Sequence, residues 1–95
     1  MKSLPCVKVE LNGRELIGLV DTGCTTSMVR ADLLNTWYGK SNMIAFDGST
    51  VQCSGQSDVK VLVDGESVET TFMVVKNIVA NFEMVIGMDV IRMWR

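Results

Sequence analysis

Apolar and polar residues alternate with a period of two along much of the chain. Val7, Val9 and Leu11 are separated by Lys8 and Glu10, the pattern of a half-buried strand. Asn12-Gly13 follows, a pair that favours the tight type I′ turn of a β-hairpin, because both central residues must take positive φ. The returning strand is expected over Arg14 to Val20. Asp47-Gly48 and Asp64-Gly65 repeat the device. The first lies between the runs Met43–Phe46 and Ser49–Cys53, the second between Val59–Val63 and Ser67–Val75. Three such turns in one short chain predict an all-β architecture.

Two segments break the alternation. Ala31 to Asn35 reads as a short helical turn ahead of Trp37-Tyr38. Met88 to Trp94 follows Gly87 and sets Val90, Ile91 and Trp94 at helical spacing, which predicts one short C-terminal helix. The single proline, Pro5, falls outside every expected strand interior, as ladder hydrogen bonding requires. No linker, low-complexity run or repeat interrupts the chain, so residues 1–95 are expected to form one domain.

Composition changes the picture in one respect. A chain of 95 residues folding alone buries a limited share of its surface, yet 47% of its residues are hydrophobic. Such an excess predicts an apolar surface covered by a partner. The net charge of −2 offers no footprint for nucleic acid. No apolar run approaches the length needed to span a bilayer, and the N-terminus lacks a signal-peptide pattern. Cys6, Cys24 and Cys53 form no CxxC pair, and histidine is absent. Zinc is therefore not expected, and neither Ser-His-Asp nor Cys-His catalysis is available within the chain. Reduced thiols fit an intracellular, cytoplasmic setting.

Candidate chemistry gathers at one turn. The run Leu16-Ile17-Gly18-Leu19-Val20 delivers Asp21-Thr22-Gly23 into a polar stretch of Cys24, Thr25, Thr26 and Ser27. An aspartate at a strand end can be an ordinary turn residue, and a bare tripeptide is a weak signal. A second feature adds weight. Met84-Val85-Ile86-Gly87-Met88-Asp89 places an apolar strand, a glycine and a helix start near the end of the chain. The two motifs, in this order and with a hairpin between them, resemble the retropepsins, the aspartic proteases of retroviruses and LTR retrotransposons. Ile-Gly-Met-Asp makes the gypsy-type retrotransposon proteases the nearest resemblance.

That resemblance covers nearly the whole chain and implies a small closed-barrel-like acid-protease fold with a flap hairpin, working as a homodimer with two-fold symmetry. It implies no cofactor. Asp21, Thr22 and Gly23 take the catalytic positions: Asp21 as acid or base, Thr22 bonding across the dimer axis, Gly23 letting the substrate backbone approach closely. A chain carrying the motif once supplies half a site, and symmetry supplies the rest. Two carboxylates brought close cannot both ionise cheaply, so they share a proton and titrate as a pair. One Asp21 would activate a water and the other would protonate the scissile carbonyl. The matching substrate positions are Leu19, Cys24, Thr25, Thr26, Met28, Phe82 and Val85, with Phe46, Asp47 and Gly48 at the flap tip. The apolar members of this set serve equally well as core. The hairpin Met43–Cys53 reads either as a flap or as an ordinary surface hairpin.

Several positions depart from the family pattern or admit two readings. Cys24 stands where alanine is usual; it reads as a pocket wall, a small buried hydrophobe or a redox-sensitive thiol. In viral members an acidic residue two beyond the glycine pairs with an arginine after the Ile-Gly motif. Thr25 and Met88 stand at those places, so both ends of the ion pair are absent together. Asp89 reads as a structural carboxylate near a helix start. Trp94 reads as a core plug or a dimer anchor. Viral members extend further at both ends with interleaved terminal strands, which predicts a weak dimer for this chain. Met1 is a candidate added start residue, since such proteases are excised from longer chains. The expected function is hydrolysis of an extended peptide, in a retroelement Gag-Pol polyprotein, with virus-like particles as one setting. A non-catalytic dimerisation or peptide-binding module, and a cellular domain of the ubiquitin-shuttle type, stand as alternatives.

Overall fold

A computed structural model describes residues 5–46, 48–76 and 82–94, except the side chains of Phe46 and Ser49. Seven strands, one 3-10 turn and one helix follow in order among these residues: β1 (Cys6–Leu11), β2 (Arg14–Val20), β3 (Met28–Arg30), a 3-10 turn (Ala31–Leu33), β4 (Asn42–Phe46), β5 (Ser49–Val63), β6 (Glu66–Val75), β7 (Met84–Ile86) and α1 (Met88–Trp94). The expected all-β chain with one C-terminal helix is observed.

The hairpins obey their turn residues. Asn12 and Gly13 have φ of 53° and 79°, and Asp64 and Gly65 have 51° and 82°. Asparagine, aspartate and glycine tolerate this region at low cost. The first turn pairs β1 with β2 in register from Cys6↔Leu19 to Leu11↔Arg14, and the second pairs β5 with β6. Asp47 of the third turn lies outside the described residues.

Six strands close into a barrel. The neighbours run β1-β2-β7-β3-β6-β5, and β5 returns to β1 through Val9↔Val63 and Glu10↔Leu62. β4 lies outside the ring. It pairs antiparallel with the first part of β5, from Asn42↔Cys53 to Phe46↔Ser49, and the two form a projecting hairpin. Val9, Leu16, Phe72, Val74, Met84 and Ile86 fill the interior with almost no exposure. Val90 of α1 is fully buried among them, with Ile91 and Trp94 packed alongside. Trp94 is partly buried against that cluster.

One expectation is corrected. Ser49–Cys53 and Val59–Val63 are not separate strands but the two ends of β5, a single strand of 15 residues. The polar stretch Ser54-Gly55-Gln56-Ser57 resembles a loop, but its backbone stays in the ladder with β6, and a register shift between Cys53 and Gly55 absorbs the irregularity. Gly55 is required there. Its φ is 155°, and a Cβ would stand 2.5 Å from the Tyr38 carbonyl oxygen. Tyr38 and Gln56 exchange both backbone hydrogen bonds at that point, at 2.8 and 2.7 Å. A straight strand of 15 residues would span about 50 Å, while the longest axis of the molecule is 33 Å. β5 therefore turns a corner, and bulges are where strands bend.

Candidate active site

β2 ends at Val20, and Asp21 leaves it beside β7. The parallel pairing Val20↔Ile86 sets the position, and the Asp21 amide donates to the Ile86 carbonyl at 3.0 Å. The chain then turns tightly: the Cys24 amide donates back to the Asp21 carbonyl at 3.2 Å. The Gly23 amide donates to Asp21 Oδ1 at 2.9 Å, which orients the carboxylate. A Cβ on Gly23 would sit 3.2 Å from that oxygen, so glycine keeps the carboxylate uncrowded. Thr22 and Gly23 are exposed at the apex, and Asp21 is half-buried.

The far side of the turn is anchored to the corner between β7 and α1. The Met88 amide donates to the Cys24 carbonyl at 2.8 Å. Gly87 lies so close that a Cβ would stand 2.6 Å from the same carbonyl oxygen. Ser27, fully buried, accepts from the Gly87 amide at its Oγ, 2.8 Å away, and donates that hydroxyl to Asp89 Oδ1 at 2.6 Å. The Ser27 amide shares its proton between the two Asp89 oxygens, each at 3.0 Å. Thr25 and Met88 carry no charge to join this loop to the helix, and Ser27 with Asp89 joins the two segments instead.

A cavity of about 530 Å³ opens beside Asp21. Gly23, Cys24, Thr25 and Thr26 line it from the turn, Met28 from β3, and Ile44, Ala45 and Gly48 from the projecting hairpin. Met73 of β6 completes it. The described lining contains one carboxylate, that of Asp21, and no basic group. Burial pushes the Cys24 thiol up from its ordinary range, and the nearby carboxylates of Asp21 and Asp89 push the same way. Its Sγ donates to the Thr26 carbonyl at 2.9 Å.

The fold thus brings Asp21, Gly23, Cys24, Thr25, Thr26, Met28 and Gly48 to one cavity. Leu19, Phe82 and Val85 lie outside its lining. Val85 is fully buried and pairs with both Leu19 and Met28 along the strands, which leaves its side chain in the core. Leu19 packs against that same small cluster. Asp47 and the Phe46 side chain fall outside the described residues.

The model of the family described as retroviral aspartyl protease matches residues 1–95. The chain belongs to this family. No curated protein matches it. Membership accounts for the closed barrel, the hairpin over the cavity and the helix after Gly87. It also makes aspartic proteolysis the chemistry to fit to the site. Asp21 is the one carboxylate among the described residues of this cavity wall.

Sequence reading missed Ile44, Ala45 and Met73. Ile44 and Ala45 sat within an expected strand, and their distance from Asp21 in sequence hid their proximity in space. Met73 reaches the cavity because β3 and β6 are parallel with Met28 opposite Met73. A pairing between strands more than forty residues apart carries no local signal; only the apolar run Phe72-Met73-Val74-Val75 marked the segment as buried.

Proposed function

We propose that this chain is an aspartic endopeptidase that works as a two-fold symmetric homodimer, with Asp21 of each copy forming the catalytic pair. The observation that carries the reading is the placement of Asp21: a carboxylate at the rim of a peptide-sized cavity, held by the Gly23 amide, with Thr22 and Gly23 exposed beside it. A lone carboxylate can accept a proton but cannot also donate one in the same step. A second Asp21 across a symmetry axis supplies the missing partner. One then takes a proton from water while the other protonates the carbonyl oxygen of the scissile bond. Thr22, exposed at the apex, bonds its counterpart across the axis in this reading.

The substrate is an extended peptide lying between the turn and the hairpin β4–β5. Ile44, Ala45 and Gly48 of that hairpin share the cavity lining with Cys24, Met28 and Met73, which supports reading the hairpin as a flap. The walls favour uncharged, apolar side chains flanking the cleaved bond. Residues 1–95 act as a single protease domain, and the natural substrate is a retroelement polyprotein processed inside the cell.

Asp21→Asn tests the enzyme reading against a non-catalytic peptide-binding module. Wild type cleaves an apolar-rich peptide library and is blocked by a pepstatin-type inhibitor; the variant binds peptide and does not cleave. Equal, negligible cleavage by both sinks the enzyme reading. Sedimentation at micromolar concentration measures the dimer, which we expect to be weak. Flanking coding sequence for a reverse transcriptase or zinc knuckle distinguishes a retroelement protease from a cellular shuttle-type domain.

A further inference from the structure

We infer that Asp89 is a positioning residue for Asp21, acting through Ser27 to hold the turn that presents the catalytic carboxylate. The inference rests on the protease reading for its kinetic consequence, though its structural consequence stands without it.

The Asp89 carboxylate is an acceptor at both oxygens. Oδ1 takes the Ser27 hydroxyl at 2.6 Å, the Ser27 amide at 3.0 Å and the Val90 amide at 2.8 Å; Oδ2 takes the Ser27 amide at 3.0 Å. A serine hydroxyl has one proton to give. Because Asp89 takes it, a lone pair of Ser27 Oγ is left pointing at the Gly87 amide, 2.8 Å away. Asp89 thereby decides which way a fully buried hydroxyl faces. The segment from Asp21 to Ser27 is then fastened to the β7–α1 corner at both ends. Asp21 bonds to Ile86 at one end, and Ser27 bonds to Gly87 and Asp89 at the other, with Cys24 bonded to Met88 between them.

Leucine is close in size but accepts no hydrogen bond. The Ser27 hydroxyl, the Ser27 amide and the Val90 amide would all lose their shared acceptor. Buried donors left without an acceptor are costly, and the segment relieves that cost by moving. Asp21 sits on the moving segment. Misplacement of a reacting group by about 1 Å can cost as much as a hundredfold in rate.

The experiment compares wild type with Asp89→Leu, Ser27→Ala and Ser27→Thr. Turnover is expressed per active site titrated with a tight pepstatin-type inhibitor, at protein concentrations high enough to hold the dimer. For Asp89→Leu and Ser27→Ala we expect kcat per titrated site to fall about tenfold or more with KM within about threefold. Ser27→Thr, which keeps both donors, restores wild-type turnover. Amide exchange by NMR supplies a readout independent of catalysis. The Gly23 and Cys24 amides, which bond to Asp21 and not to Asp89, exchange about tenfold faster in Asp89→Leu, while amides of the β1–β2 ladder do not change. If Asp89→Leu does not fold, Ser27→Ala is judged by the same criteria. A fall in the number of titratable sites with unchanged kcat per site, or unchanged Gly23 and Cys24 exchange, overturns the inference. If wild type cleaves nothing, the protease reading has failed, and exchange alone decides the role of Asp89.

Discussion

Gly87→Ala tests whether the contact between the helix start and the aspartate turn is obligatory. The new Cβ would stand 2.6 Å from the Cys24 carbonyl oxygen and 3.2 Å from the Thr26 carbonyl carbon. Both are backbone atoms, so no side chain can rotate away. To regain ordinary contact at 3.4 Å the carbonyl must retreat by most of an ångström. The Met88 amide bond to that carbonyl, now 2.8 Å, is then stretched beyond useful length. Overpacking of a filled site costs about 1–3 kcal/mol, and the lost hydrogen bond adds about 1 kcal/mol. A destabilisation of about 2–4 kcal/mol is a large part of what a small domain possesses. With a urea slope of about 1–2 kcal/mol per molar, the unfolding midpoint falls by about 2 M. Gly13→Ala is the control: nothing lies within 4 Å of its Cβ, but φ is 79°. It carries backbone strain alone, about 1 kcal/mol. Both variants are measured at matched protein concentration, since the proposed dimer would add to apparent stability. A Gly87→Ala protein that unfolds no more readily than Gly13→Ala refutes the argument.

Two further outcomes follow from the charged and thiol groups. The Cys24 thiol is held above its ordinary range by burial and by two carboxylates, and the thiolate is the form that reacts; alkylation of Cys24, followed by peptide mass mapping, should lag behind that of exposed Cys6 at neutral pH and accelerate only above about pH 9. Hydrogen bonds from Thr71 and Tyr38 hold the Asp58 carboxyl below its usual range, and Arg30 does the same for Asp32. A carboxyl lowered in the folded state stabilises above its unfolded value and loses that contribution as pH falls through the lower, folded one. Urea midpoints should therefore drop on acidification from about pH 5 to about pH 2, and Asp58→Asn should flatten that fall; an equal slope in the variant contradicts the assignment.

Local chemistry made most of the architecture readable. Asn12-Gly13 and Asp64-Gly65 announced their turns because few residue pairs accept positive φ twice in succession. Val90, Ile91 and Trp94 announced α1 because their spacing suits one face of a helix against the barrel. What failed to show were features created by distant partners. Gly55 reads as a loop glycine, and only the Tyr38 backbone lying against it explains why it belongs to a bulge in a continuous strand. Met73 reads as core, and only the parallel register with β3 brings it to the cavity. Ser27 read only as the last member of a polar stretch. Its importance comes from the Gly87 amide and the Asp89 carboxylate, both about sixty residues away in sequence.

The continuity of β5 has an evolutionary consequence. No spare residues separate the flap from the barrel seam, since one ladder with β6 runs through Gly55 to Val63. An insertion or deletion between Gly55 and Val59 would shift every following residue by one, turning Val59, Val61 and Val63 from the interior to the solvent. Descendants of this chain can change the flap by substitution at almost any position, but they can lengthen it only at its tip, where β4 meets β5.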